Sequence, residues 1–293
     1  MGAVHPSYLL LLSVGASLLV VQLNQRAGSP VLAIVDRWLR WFGFALGGAL
    51  VCRSFDLIDR PYWVLVTAFF LFWFLGETLY NWLAISALSL SPLPLFPRYG
   101  LNQSGEEWPV QARLLKIRSW LRAQGFQPAQ ALKAEIGGGL YLRVSVYQDA
   151  AGLIRVQATF LPQANGAIVV CYSLSSINAE GARLVTDNLY IPFGGFYPET
   201  WLVERRPWRR SLPRLLARHR VRLKSFAAVP FAGEPMADLN NSQHELDRLN
   251  TELGFLYPHH EREDLGKITQ EGRYRVWKEI WTLNYLGRSA RYR

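Results

Sequence analysis

Hydrophobic positions fall into two regimes along this chain. Up to about residue 90 they come in near-continuous blocks; beyond it they alternate every second residue or recur every three to four. The strongest block, 61–90, carries Glu77 as its only acid and no Lys or Arg, and is dense in aromatics. A helix rises about 1.5 Å per residue, so crossing a hydrocarbon core of ~30 Å takes about 20 apolar residues. The block therefore predicts a transmembrane helix over about 61–82. Tyr80, Asn81 and Trp82 would mark its interfacial end, leaving Glu77 near headgroup depth rather than as a buried functional acid.

The block at 8–23 predicts another span. Its leader has no Lys or Arg and no small-residue cleavage pattern follows, so an uncleaved helix is expected rather than a signal peptide. The stretch 38–53 is shorter of apolar residues. Only twelve separate Arg40 from Arg53, about 18 Å of helix, and snorkelling arginines at both ends would be needed to complete a crossing. Three spans are the reading taken here, with two as the alternative. Three place the amino terminus outside and the carboxy-terminal part in the cytoplasm, at a cell inner membrane. Arg98, Arg113, Lys116, Arg118 and Arg122 then follow the positive-inside rule. Gly43 and Gly47 form a GxxxG step that lets helix backbones approach closely. Self-association of the chain and intramolecular contact are its two possible uses.

The proline-dense stretch 91–97 cannot continue a helix, and it divides the chain into a membrane domain, 1–97, and a second domain, 98–293. In the latter, Val110, Leu114, Ile117 and Leu121 predict a helix between Glu106 and Gly125. Alternation predicts strands over 140–148, 153–161 and 167–175, with a turn at Asp149–Gly152 and a hairpin turn at Asn165-Gly166. A further strand is expected over 182–192, at an edge because of Pro192. Three helices follow, over 211–226, 238–253 and 269–286. Short links between strands imply an antiparallel meander of four to five strands covered by about four helices, an α+β domain.

Composition sharpens this division. Of a net charge of +10, nearly all falls beyond residue 97, where 27 basic residues face 18 acidic ones. The densest run is 205–224, with Arg205, Arg206, Arg209, Arg210, Arg214, Arg218, Arg220, Arg222 and Lys224 and no acid. Beside a bilayer, basic residues gain ~1 kcal/mol each from anionic headgroups. A solvated basic face with no dedicated ligand is the plain alternative. Nucleic acid, with Trp208 as a stacking group, is disfavoured because no nucleic-acid motif accompanies the charge.

Catalytic chemistry finds little support. His219 falls on the leucine side of its helix, as a hydrogen-bonded core residue would. His259 and His260 lie beside acids in a loop but lack the spacing of a zinc site, and His244-Glu245 lacks the second histidine of HExxH. Gly137–Gly139 fits neither a phosphate loop nor a dinucleotide turn. Cys171 sits in a strand among valines, as an inert buried thiol does, and a disulfide with Cys52 is not expected. No cofactor or metal is expected. The chain reads as a non-enzymatic, membrane-anchored module whose basic cytoplasmic domain contacts anionic lipid headgroups or a membrane-associated protein. The alternatives are a membrane-bound enzyme with a site assembled from His219, His259, His260 and Cys171, and a small subunit of a larger membrane assembly.

Overall fold

In the computed structural model, residues 6–27, 29–106, 108–137, 139–162 and 168–289 are described. Contacts divide the chain into two compact units. The first takes the chain up to Ala87 together with Arg273–Arg288, and the second takes Leu88–Gly272. The line thus falls ten residues before the proline-based boundary at 97, and most of the last helix groups with the first unit.

The first unit is helical: α1 (Pro6–Ala27), α2 (Pro30–Ser54) and α3 (Tyr62–Leu90). Two segments, Ser7–Gln25 and Tyr62–Leu90, are long and apolar enough to cross a membrane. The stretch expected as a middle span, 38–53, is helical but does not meet that requirement, because Asp36, Arg37, Arg40 and Arg53 interrupt its helix. Small residues bring these helices together. A Cβ on Gly43 would stand 3.3 Å from Ser13 Oγ, and one on Gly47 3.6 Å from Leu10, so the GxxxG face of α2 is covered by α1 of the same chain. Gly48 admits Phe69 of α3 where a Cβ would stand 2.6 Å from the ring. Asp36, buried in α2, accepts a hydrogen bond from Ser17 at 2.7 Å and pairs with Arg40 at 3.0 Å.

The second unit begins with β1 (Gly100–Leu101), α4 (Ala112–Ala123), β2 (Gln127–Gly137), β3 (Leu140–Gln148), β4 (Arg155–Pro162), β5 (Ile168–Asn178), β6 (Arg183–Asp187) and β7 (Trp201–Arg205). It continues through α5 (Leu212–Leu223), β8 (Ala228–Val229), α6 (Pro235–Glu252) and the short α7 (Arg262–Leu265), and α8 (Gln270–Leu286) returns to the first unit. The sheet is larger than the expected four to five strands. Eight strands form it in the order β1 to β7, with β8 on β5, and it is mixed because β7 pairs parallel to β6. The antiparallel meander is present within it from β2 to β6.

Local chemistry explains the element ends. The helix α4 starts at Ala112, later than expected, and Val110 is 93% exposed; Pro109 disfavours helical backbone at Trp108, which instead stacks edge-on against Tyr147 and Phe160. Gly152 closes the β3–β4 turn at φ 72°, where its N–H donates to Asp149. The expected Asn165-Gly166 turn lies outside the described residues. Strand β6 ends at Asp187, so the stretch expected to continue to Pro192 forms part of the crossover to β7.

Alternation along the strands gives the sheet two buried faces. Tyr147, Val156, Ala158, Phe160, Tyr172 and Leu174 pack with Leu114 and Leu121 of α4 and Leu212, Leu215 and Leu216 of α5. On the opposite face Leu132, Leu142, Val144 and Val146 meet Met236 and Leu239 of α6. Asp238 fixes α6 there through Arg155 at 3.2 Å and through Arg183. At the other end of α6, Asn250 exchanges hydrogen bonds with the Phe196 backbone at 2.7 and 3.0 Å.

Candidate functional site: a basic helical layer

The two helices on the first sheet face share a bias in charge. Helix α4 contributes Arg113, Lys116, Arg118 and Arg122, helix α5 contributes Arg214, Arg218, Arg220 and Arg222, and neither contains an acid. Helix α6 on the opposite face carries Asp238, Glu245, Asp247 and Glu252 against Arg248. The sheet is therefore clad in basic helices on one side and an acidic helix on the other. The density of 205–224 was legible in sequence; the share of α4 was not, because it depends on both helices covering one face.

Within the basic run the structure separates two populations. Arg205 is structural: its side chain is 2% exposed, it pairs with Asp187 at 3.2 Å, and it donates to the Tyr197 hydroxyl at 2.9 Å. Glu204, one residue before the run, gathers three more. Arg218 binds it through Nε and a terminal nitrogen at 2.9 to 3.1 Å, Arg206 donates to it as well, and Arg222 stands at 3.3 Å. Burial pushes the Glu204 carboxyl up, but hydrogen bonds and charge from Arg218 and Arg206 outweigh it and hold it down at about 2. Arg222 also reaches the carbonyls of Val185 and Leu202, stitching α5 to β6 and β7. Arg209, Arg210, Arg214, Arg220 and Lys224 are exposed, as are Arg113, Lys116 and Arg122 of α4. Of these, Arg122 pairs with Glu106 at 3.0 Å.

The residues of the enzymatic alternative do not converge. His219 is fully buried between Ser176 (Nε2, 3.1 Å) and Thr186 (Nδ1, 3.0 Å). The Ser176 hydroxyl donates to the Leu153 carbonyl at 2.7 Å, so it accepts the Nε2 proton of a neutral imidazole. Burial, and then the Arg222 charge, lower this histidine to about 4. Cys171 lies five residues away along β5, roughly 16 Å at strand spacing. Its thiol is pushed up to about 11, mainly by burial. His259 and His260 are exposed beyond α6, His259 standing 3.1 Å from Asp247. Among the described residues no three His, Cys, Asp or Glu side chains form a metal-sized group.

In the helical unit, Glu77 accepts hydrogen bonds from Trp73 Nε1 at 2.9 Å and from the Tyr285 hydroxyl. Together with Arg37, Arg40 and Phe72 they line a cleft of about 420 Å³. Trp277, Trp281 and Tyr285 recur every fourth residue in α8; Trp281 and Tyr285 meet the Trp41 ring, Trp281 also meets Phe74, and Trp277 packs against Trp281. This i, i+4, i+8 aromatic stripe is the sequence signal for the place of α8. Comparison of the chain with known protein families, with curated proteins and with solved structures finds no match.

Proposed function

We propose that this protein is a non-enzymatic, membrane-anchored module whose second unit binds anionic lipid headgroups through the basic layer of α4 and α5. The carrying observation is the charge asymmetry of the sheet: outward cations gather on the α4–α5 face, beyond those already neutralised by Glu204 and Asp187, while the helix on the other face is net acidic. Two segments of membrane-crossing length supply the context, since a chain held at a bilayer meets lipid headgroups at high local concentration. In this reading α2 crosses alongside α1 and α3, with Asp36 neutralised by Arg40 and hydrogen-bonded by Ser17, and the second unit is cytoplasmic.

The magnitude is adequate. Eight exposed cations lie on or beside these helices, and four near a surface at ~1 kcal/mol each would give about a thousandfold preference over neutral lipid. The test uses the full chain in nanodiscs of phosphatidylcholine, mixed with vesicles of phosphatidylcholine alone or with phosphatidylserine, and separated by flotation. Capture by the anionic vesicles only, weakened about a hundredfold by Lys116→Glu, Arg214→Glu and Arg220→Glu together, is the expected result. Equal capture by both vesicle types, or a triple variant that floats like the wild type, would refute the lipid reading and leave an acidic protein as the partner to seek.

A further inference from the structure

The cleft of the helical unit brings charges of both signs against aromatic side chains. Arg37 and Arg40 of α2, Trp73, Gly76 and Glu77 of α3, and Tyr285 of α8 line its volume of about 420 Å³, and all belong to the first unit. Hydrogen bonds fix its shape. Trp73 Nε1 and the Tyr285 hydroxyl both donate to Oε2 of Glu77, which clamps the carboxylate between α3 and α8. Arg37 donates to the Asn284 carbonyl at 3.3 Å and Trp38 to that of Tyr285 at 3.0 Å, pinning α8 to α2 beside the cleft. Arg40 holds Asp36 through Nε at 3.0 Å, and Ser17 donates to the other oxygen of Asp36.

The groups left open are of opposite kinds. Among the described residues, no partner reaches Oε1 of Glu77 or the two terminal nitrogens of Arg40. One volume therefore offers an anionic acceptor and cationic donors together. Phe44 and Trp73, with ring centres 5.1 Å apart, form part of its apolar wall. Gly76 leaves the room: a Cβ there would meet nothing within 4 Å, one residue from Glu77. The volume falls in the range of pockets that hold small molecules.

We propose that this cleft binds the headgroup of a phosphatidylethanolamine lipid. The phosphate accepts from Arg40 and meets the Arg37 charge, while the primary ammonium donates to Glu77 Oε1 beside the Trp73 ring. Other headgroups leave half of the cleft unmatched. An anionic lipid brings no donor for Oε1, and a metal ion meets two guanidinium charges. A choline group suits the aromatic wall but has no N–H for the carboxylate. The membrane context agrees, because α3 is long and apolar enough to cross a bilayer. Charged side chains sharing a cleft on such a helix favour headgroup depth, where phospholipid zwitterions are abundant. The site goes beyond the basic layer: it lies in the other unit and rests only on the membrane reading of the helices.

The test is native mass spectrometry of the full chain in neutral detergent, with dioctanoyl phosphatidylethanolamine, phosphatidylcholine or phosphatidylglycerol as the added probe. The ethanolamine lipid should bind at least about tenfold more tightly than the other two, as one charge-assisted hydrogen bond allows. Glu77→Gln keeps an acceptor for Trp73 and Tyr285 but removes the charge, and should bring the ethanolamine lipid down to the choline level. Gly76→Leu grows into open space and favours the helix, so it should block all the probes while the lipid-free thermal midpoint stays at or above that of the wild type. Equal affinity of the wild type for ethanolamine and choline lipids, or a wild-type preference in either variant, would overturn the site. The Lys116→Glu, Arg214→Glu, Arg220→Glu variant should keep the ethanolamine preference. That preference beside vesicles that fail to discriminate would keep the site and remove the basic-layer reading. Its absence beside intact capture by anionic vesicles would remove the site alone.

Discussion

Replacing His219 with Gln should produce a stability difference that depends on pH, with a sign fixed by the burial of the ring. Folded His219 titrates at about 4, whereas an unfolded histidine titrates near 6.5. Between these values the unfolded chain binds the extra proton, so folding stability is full above about pH 6.5 and falls as pH drops toward 4. Integrating the one-proton linkage between pH 7 and pH 5 gives a loss of about 2 kcal/mol for the wild type. The exposed His259 and His260 are common to both proteins and cancel in the comparison. The variant loses the ring's hydrogen bonds and starts about 1 kcal/mol less stable at pH 7. It then has no proton to gain, so the gap should close by pH 5 or reverse. Urea-driven pulse proteolysis of the full chain would read this as a wild-type midpoint falling by roughly 1 M more than that of the variant. A gap that stays constant from pH 7 to pH 5, or a wild type that gains stability on acidification, would refute a buried neutral imidazole.

The remaining predictions address packing, buried charge and thiol chemistry. Gly48→Ala should destabilise the helical unit by about 1–3 kcal/mol, because Phe69 already fills the space, whereas Gly47→Ala should be nearly neutral; detergent-resistance midpoints compare the two. Asp187→Asn should cost about 3–5 kcal/mol by leaving Arg205 buried without its charge partner, measured by urea unfolding. Glu204→Gln should cost about 1–3 kcal/mol near neutral pH. That loss should shrink on acidification from about pH 4.5 toward 2, since the wild-type carboxylate is protonated over that window. Cys171 should resist iodoacetamide at mildly alkaline pH until the chain unfolds, as peptide mass spectrometry would show, because burial keeps the thiol protonated.

The meander was legible because β3 to β5 alternate cleanly and short turns join them. Strand β2 was not. Its sequence, QPAQALKAEIG, is rich in residues depleted from strands, and pairing with β1 and β3, with Leu132 packed against α6, holds it in the sheet. Strand β7 was hidden for another reason. A parallel partner needs a crossover, and the segment leading to it reads as a Gly/Pro-rich loop with no hint of return to β6. The two-residue strands β1 and β8 leave no pattern at all. In the helical block, amino-acid type alone located α1 and α3. The partner of Gly43 and Gly47 needed the observed apposition of α1 and α2.

The basic run illustrates why counting charges along a chain misjudges a surface. A window beginning at Arg205 holds no acid, yet Glu204 lies one residue upstream and Asp187 waits on the neighbouring strand. The parallel β6–β7 pairing and the fit of α5 against them bring both acids beneath the run, so Arg205, Arg206, Arg218 and Arg222 are spent on the fold. The opposite correction comes from α4, whose cations lie about a hundred residues away in sequence but on the same sheet face. Subtracting the first group and adding the second leaves the outward charge spread over two helices rather than stacked along one. Spread in this way, it suits a planar anionic surface better than a single phosphate chain.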